Sequence, residues 1–218
     1  DGDPDLFLVN GGYSMESNLA VYENQVQENG LFIERTEVLG FSALNEELHH
    51  WWGASFADYN LDGYLDVVVT RREGTPLLFE SQQGESFVEV GRELGLVVGE
   101  GGRWTCDLKN PVWWDYDQDG DADLYLAGRY CHAFYENQGS QFVDQTEALF
   151  GSLIPEDYPE VFVAAAEDFN QDGLEDLYLG RWDKQDYLLI NQGAKRFASK
   201  SKDFGLDMAL GIVEPYEN

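Results

Sequence analysis

Basic residues are scarce in this chain. Only 13 of its 218 residues are Lys or Arg, whereas 42 are Asp or Glu, which gives a formal charge of −29. A surface this acidic repels phosphate groups. The composition therefore argues against nucleic-acid binding and against attraction to an anionic membrane.

Long apolar runs and a basic leader segment are also missing. No stretch approaches the ~20 apolar residues that a membrane helix needs, so membrane insertion is not expected. The first ten residues, DGDPDLFLVN, lack the basic start of a signal peptide. Signal peptides are removed from mature chains, so a mature secreted chain would also show this start. Aromatic residues make up 14% and hydrophobic residues 43% of the chain. Acidic disordered chains lack such residues, so a folded protein is expected.

Cysteine is nearly absent. Cys106 and Cys131 are the only two, too few for a disulfide-rich scaffold and without the spacing of a zinc site. One disulfide formed in an oxidising compartment is the favoured interpretation, and two buried free thiols are the alternative.

One acidic motif occurs three times. All copies read D-[YF]-[DN]-x-D-G-x-x-D and precede a short apolar run. They start at Asp58, Asp115 and Asp168, 57 and 53 residues apart. Similar strand-like runs follow each copy, and residues 1–41 repeat this pattern once more. The sequence therefore predicts a single repeat domain of about four units, approximately 1–57, 58–114, 115–167 and 168–218.

Each unit has the features of β-structure. Its runs are short, rich in Val, Leu, Phe and Tyr, and separated by Asn-Gln-Gly or Asn-Gly turns that suit tight hairpins. About four such strands in ~50 residues match one β-propeller blade. We therefore predict an all-β fold, a β-propeller-like array of about four four-stranded blades with the acidic loops in the hairpins. A β-solenoid ranks second because its turns are usually shorter.

The spacing of oxygen ligands in the acidic motif predicts calcium binding. Side chains at positions 1, 3 and 5 converge when the chain curls tightly, and Gly at position 6 permits that curl. Position 7 supplies its backbone carbonyl and position 9 a further carboxylate, which completes the all-oxygen cage that Ca²⁺ prefers. The predicted ligands are Asp58, Asn60, Asp62, Tyr64 and Asp66 in the first loop, Asp115, Asp117, Asp119, Asp121 and Asp123 in the middle loop, and Asp168, Asn170, Asp172, Leu174 and Asp176 in the third loop.

Turn chemistry is the alternative interpretation of the motif, because Asp, Asn and Gly are common in turns. Three copies with every ligand position filled favour calcium. Without cations, the ten carboxylates at positions 1, 3, 5 and 9 would repel one another at a cost of several kcal/mol each. Calcium is therefore expected to be a requirement for folding.

The repeated unit resembles a known family. Its order of acidic loop, LYL-like run, Tyr-x-Asn-x-Gly turn, Phe run and Gly-Leu close is similar to the FG-GAP/VCBS repeats of integrin α-subunit heads and many bacterial surface proteins. It also resembles the repeats of cartilage acidic protein and ASPIC/UnbV-type proteins. The resemblance covers nearly the whole chain. It implies a β-propeller with calcium in the blade hairpins, an extracellular location and a binding or structural role.

Both ends of the sequence hold half of the acidic motif. Asp1, Asp3 and Asp5 align with the second half of the first loop, and Glu217 aligns with its position 3. A fourth calcium site would draw on these four residues. Three interpretations stay open: a piece of a longer array, a ring closed within one molecule, or a site shared head to tail between Asn218 of one copy and Asp1 of the next.

No catalytic motif is evident, so an enzyme is not expected. The sequence has no G-x-S-x-G, no phosphate-binding loop and no H-E-x-x-H. It therefore predicts a secreted, calcium-stabilised structural or adhesive repeat protein located outside the cell or on its surface, with self-assembly as one option. The alternatives are a lectin-like or protein-binding propeller, and a piece of a larger propeller.

Overall fold

The structure is a computed structural model, and it describes residues 3–11, 18–45, 50–72, 74–98, 106–154, 160–182 and 184–206. These residues form four antiparallel β-sheets and a few short helical turns. Sheet 1 has three strands in the described residues, and sheets 2, 3 and 4 have four each. Neighbouring strands in every sheet are consecutive in sequence. This arrangement confirms the predicted all-β, propeller-like array of four blades.

The strands are short, as in propeller blades. Sheet 1 consists of β1 (Leu6–Asn10), β2 (Asn18–Gln25) and β3 (Leu31–Glu34), and sheet 2 of β4 (Trp51–Ala57), β5 (Asp66–Arg71), β6 (Leu77–Ser81) and β7 (Phe87–Glu89). Sheet 3 consists of β8 (Leu108–Trp114), β9 (Asp123–Gly128), β10 (Ala133–Asn137) and β11 (Phe142–Asp144), and sheet 4 of β12 (Val161–Glu167), β13 (Asp176–Arg181), β14 (Tyr187–Asn191) and β15 (Phe197–Ser199). The helical turns are α1 (Val26–Asn29), α2 (Thr146–Phe150) and a 3₁₀ turn at Ser42–Asn45.

Three hydrophobic cores fill the spaces between consecutive sheets. In β5, Val67 packs in the core shared with sheet 1, and Val68 packs in the core shared with sheet 3. In β9, Leu124 packs towards sheet 2 and Tyr125 towards sheet 4. Successive side chains of a strand point to opposite faces. Because the middle sheets bury both faces, their central strands are uninterrupted apolar runs instead of alternating ones.

The first strand of each four-stranded sheet lies beside the first strand of the next. β8 contacts β4 on one side and β12 on the other, and β1 contacts β4. Each acidic loop joins the first and second strands of its sheet, so the loops of successive sheets are neighbours. The sequence units begin at these loops, whereas each of sheets 2, 3 and 4 also includes the strand before its loop.

Candidate metal centres

The three acidic loops share one backbone conformation. Position 4 has a positive φ, of 58°, 62° and 61° at Leu61, Gln118 and Gln171. The glycine at position 6 has φ values of 92°, 98° and 89° in the three loops. Residues with a side chain reach a φ near 60° in the small left-handed region but rarely a φ near 90°. Glycine is therefore needed at position 6. The motif therefore folds in the same way three times.

The aspartate at position 1 closes each loop. Asp58, Asp115 and Asp168 each accept two hydrogen bonds, from the backbone N–H groups of positions 5 and 6, at 2.9–3.0 Å. Local bonds of this kind allow Asp to replace regular backbone pairing in a turn. This carboxylate therefore holds the curl that brings the other ligand positions together.

The aspartate at position 9 anchors each loop to its sheet. Asp66, Asp123 and Asp176 are almost fully buried, with at most 1% of each residue exposed. Their Oδ2 atoms accept the N–H of position 2 at 3.1–3.2 Å. Their Oδ1 atoms each accept an N–H of the third strand at 2.8 Å. Each last aspartate therefore joins three parts of one sheet.

Asp5 occupies the equivalent position in sheet 1. Its Oδ1 accepts the backbone N–H of Asn24, in the second described strand of that sheet, at 2.7 Å. The same relation joins Asp66 to Ser81 in sheet 2. The alignment of Asp5 with the last aspartate of the motif is therefore reproduced in the fold. Asp1 and Glu217 lie outside the described residues, so the split fourth site stays a prediction.

The middle loop brings carboxylates together most closely. Oxygens of Asp115, Asp117 and Asp123 all lie within 4.8 Å of one another. Calcium binds oxygens at 2.3–2.6 Å, so a single ion can reach all three groups. In the part of the chain that the structure describes, no second group of three His, Cys, Asp or Glu side chains meets this condition.

The carboxylate oxygens of the middle loop are suitable ligands for a hard cation. The Asp117 side chain is only 10% exposed, and its buried Oδ1 accepts no hydrogen bond. The Oδ1 of Asp121 is also buried and accepts no hydrogen bond. Buried carboxylate oxygens without a donor are costly, and a cation would satisfy them. The set contains oxygen alone, which matches calcium better than a transition metal.

Asp121 contributes more than the sequence predicted. Position 7 was expected to offer its backbone carbonyl, but the Asp121 carboxyl also lies near Asp119, Asp117 and Asp115. Without a cation, burial and the charges of these three neighbours raise the pKa of Asp121 to about 6. Burial is also the main cause that raises the pKa of Asp123 to about 8, with further contributions from Asp117 and Asp121. The middle loop is therefore a crowded anionic site.

The first and third loops are arranged differently. Position 3 is an asparagine in both, and its Oδ1 accepts the N–H of position 5, at 3.1 Å for Asn60 and 2.8 Å for Asn170. Their Nδ2 atoms donate to carboxylates at position 5, at 3.3 Å to Asp62 and 2.9 Å to Asp172. These predicted ligands are thus bonded to one another. An amide N–H therefore partly neutralises the position 5 carboxylate that an ion would bind.

Position 5 carries the same bond in all three loops. Asp62, Asp119 and Asp172 each accept the N–H of position 7 through Oδ1, at 2.9, 3.2 and 2.9 Å. Those N–H groups belong to Tyr64, Asp121 and Leu174, whose carbonyl groups are the ligands predicted at position 7. This bond fixes the chain direction on either side of the glycine.

Side chains also tie each loop to the next sheet. Asn137 of sheet 3 donates through Nδ2 to the carbonyl of Tyr59 in the first loop, at 2.8 Å. Asn191 of sheet 4 donates in the same way to Tyr116 in the middle loop, at 2.8 Å. Lys195, from the β14–β15 turn, forms an ion pair with Asp117 at 2.9 Å. Sequence reasoning missed this lysine because it lies far from the motif.

Sheet 3 also carries the disulfide. Cys106, just before β8, is bonded to Cys131, just before β10, with Cα atoms 5.5 Å apart. This confirms the disulfide that the sequence favoured. Among the described residues, no helix is long and apolar enough to cross a membrane.

The fold and the loops define a repeat protein built from propeller-like blades with acidic hairpin loops. The profile of the FG-GAP-like repeat matches residues 1–69 and 58–126, which together make up more than half of the chain. The chain therefore belongs to the FG-GAP-like repeat family. A comparison with curated protein sequences gives no match.

A solved lectin structure is similar in fold. Its description concerns specific recognition of non-reducing terminal N-acetylglucosamine by a lectin from Agrocybe aegerita. The alignment covers 89% of this chain and 51% of the lectin chain, with a TM-score of 0.50 and 16% identity. The chain thus spans about half the length of that lectin. At this identity the likeness shows the fold alone.

Proposed function

We propose that the chain is a calcium-stabilised, non-catalytic repeat protein with a structural or adhesive role outside the cell. The observation that carries the calcium assignment is the carboxylate group of Asp115, Asp117 and Asp123, whose oxygens one ion can reach. The buried, unbonded Oδ1 of Asp117 supports it. The first and third loops follow the same motif and are proposed as weaker sites.

Calcium fits this site better than magnesium. The middle loop offers up to five carboxylates on a flexible, glycine-containing turn. Calcium takes six to eight oxygens in variable geometry, whereas magnesium demands a small octahedron and keeps several waters. A ligand set supplied mainly by protein therefore favours calcium.

The bound ion would stabilise the packing between sheets as well as its own loop. Tyr116, at position 2 of the middle loop, is held by Asn191 of sheet 4. Its hydroxyl also donates to Glu136 in sheet 3 at 2.8 Å. An ion that fixes the loop therefore fixes a junction between two sheets. A ligand that binds only the folded state stabilises it by about 2.7 kcal/mol at a hundredfold excess over Kd.

Thermal unfolding tests the calcium proposal. We expect the Tm to rise by several degrees in millimolar calcium relative to chelator, and magnesium to have a smaller effect. The variant Asp117→Ala should lose most of this rise. Asp203→Ala is the matched control, because Asp203 is exposed and pairs only with Lys200 in the described contacts. Identical melting curves in calcium and in excess chelator would refute the proposal.

The disulfide supports the proposed extracellular location, since such bonds persist in oxidising compartments. Calcium-dependent self-association is proposed as one form of the structural role. Light scattering tests it. Large multiples of 24.7 kDa in calcium that collapse on chelation would support a shared site, and a monomer in calcium would count against it.

Glycan binding is a second candidate. Trp182 in sheet 4 is 66% exposed, and its ring centroid lies 5.2 Å from that of Phe162. Exposed aromatic faces pack on sugars as they do on other apolar surfaces, and the similar fold of a lectin supports this candidate. A glycan array read with Trp182→Ala tests it, with Phe204→Ala as the control because Phe204, in the turn after β15, is also exposed. We expect the protein to bind a glycan without hydrolysing it. The binding should be lost in Trp182→Ala and kept in Phe204→Ala.

A further inference from the structure

A lysine from sheet 4 reaches into the middle loop of sheet 3. Lys195 lies in the turn between β14 and β15, with a φ of 57°. Its Nζ lies 2.9 Å from Asp117 Oδ2 and 3.1 Å from Glu136 Oε1. The lysine side chain is 48% exposed, whereas the two carboxylates are 10% and 11% exposed. One cation thus neutralises two largely buried anions of the neighbouring sheet.

Among the described residues, a lysine lies beside the middle loop, which has the extra charge, and no basic residue occupies the matching turn beside the first loop. Position 3 is Asp117 in the middle loop but asparagine in the first and third loops. The turn of sheet 3 that packs beside the first loop, residues 138–141, reads QGSQ and has no basic residue. The additional carboxylate and the lysine therefore form a matched pair across the sheet boundary.

We propose that Lys195 is an internal counter-ion of the middle loop, which holds Asp117 in place in the metal-free protein and lowers the affinity of this loop for calcium. The inference rests on the proposed calcium site and adds the residue that regulates it.

The two oxygens of Asp117 separate the roles of lysine and metal. Lys195 binds Oδ2, and Oδ1 accepts no hydrogen bond. The carboxylate can therefore bind an ion through Oδ1 while it keeps its ion pair. A positive charge one carboxylate away repels a divalent cation, so the lysine weakens calcium binding while it stabilises the metal-free loop. Both effects follow from the same charge.

Calcium titration by calorimetry, combined with thermal unfolding, tests this inference on the full chain. In Lys195→Gln we expect one calcium-binding step to become about fivefold tighter, the order expected for one unit charge near a divalent ion in a solvated site. The Tm of the same variant should fall further below that of the wild type in chelator than in calcium. Lys200→Gln is the matched control, because it removes the same charge from a lysine that pairs with Asp203 instead.

A double-mutant cycle sharpens the test. Asp117→Asn gives the middle loop the residue found in the other two loops. In that background Lys195→Gln should change the calcium affinity less than twofold, because Asp117 no longer holds the ammonium group beside the ion. An equal effect in both backgrounds, or an equal effect of Lys200→Gln, would overturn the inference. Wild-type protein that binds no calcium would instead overturn the proposed function itself, and the inference with it.

Discussion

The middle and third loops have the same motif and the same backbone, yet they differ in charge. The middle loop has Asp117 and Asp121 where the third loop has Asn170 and Leu174. In the third loop Asn170 accepts the N–H of Asp172 at 2.8 Å and donates to the Asp172 carboxylate at 2.9 Å. In the middle loop the corresponding carboxylate has one oxygen on a lysine and one without a hydrogen bond.

This difference shows two ways to stabilise the same turn. An asparagine can form its hydrogen bonds within the loop, because its amide offers both a donor and an acceptor. An aspartate only accepts hydrogen bonds, so it needs a cation, whether a lysine, a metal or both. The middle loop is therefore the one whose stability should depend most on its ionic surroundings.

The largest effect is expected at position 9. Asp123→Ala and Asp176→Ala each leave two backbone N–H groups without their carboxylate, which should cost about 3 kcal/mol of unfolding free energy. In calcium, Asp123→Ala should cost about 2 kcal/mol more than Asp176→Ala, because it also removes a ligand of the stronger site. Urea unfolding with calcium and with chelator measures both. If the difference in unfolding free energy between the two variants stays the same in chelator, calcium at the middle loop is not its cause.

The disulfide distinguishes sheet 3 from sheet 4 independently of metal. Cys106 and Cys131 are 25 residues apart in sequence, and closing such a loop in the unfolded chain stabilises the fold by about 3 kcal/mol. The Cys106→Ala/Cys131→Ala variant should lose this amount in calcium and in chelator alike. Unfolding in denaturant checks it. A loss seen only in chelator would mean that the disulfide acts through the middle loop.

A buried histidine gives sheet 3 a pH dependence of its own. His132 packs beside Tyr125 and Phe150, and burial lowers its pKa to about 4, although Asp144 acts in the opposite direction. The unfolded chain therefore takes up the proton first. The contribution is complete above pH ~6.5 and is lost as the pH falls towards 4, by about 2 kcal/mol at pH 5.

The matching position before β14 is Asp186, which accepts the Tyr178 hydroxyl at 2.6 Å. His132→Phe should therefore reduce the loss of stability between pH 7 and pH 5, measured by denaturant unfolding at both values. An unchanged pH profile in this variant would show that other groups control acid sensitivity.

Local sequence was enough to predict the blades and the loops. Turn residues, short apolar runs and the ligand spacing all act within about ten residues, so the positions of Asp58, Asp115 and Asp168 predicted where the chain would curl. The half-motif aligned Asp5 with position 9, and the structure shows the corresponding hydrogen bond from Asp5 to its sheet. Regular repetition made these patterns visible in a single sequence.

The contacts between sheets could not be predicted in this way. Lys195 lies 78 residues from Asp117, and only the packing of sheet 4 on sheet 3 brings them together. The sequence predicted only the backbone carbonyl of Asp121 as a ligand, because the motif requires no side chain at position 7. Its closeness to Asp119 and Asp117 depends on how tightly the loop closes against its neighbours.

The smallest expected effect tests whether the lysine is needed at all. Asn170→Asp gives the third loop the carboxylate of the middle loop without a counter-ion. We expect this variant to lose about 1 kcal/mol of unfolding free energy in chelator, since a carboxylate cannot make the donor contact of Asn170 to Asp172. In calcium the loss should disappear, because the new carboxylate binds the ion. Asp203→Asn, at an exposed site in the turn after β15, is the control for a single change between Asp and Asn. A loss that calcium does not restore would show that the third loop cannot open to bind the ion, and that the two loops differ in more than charge.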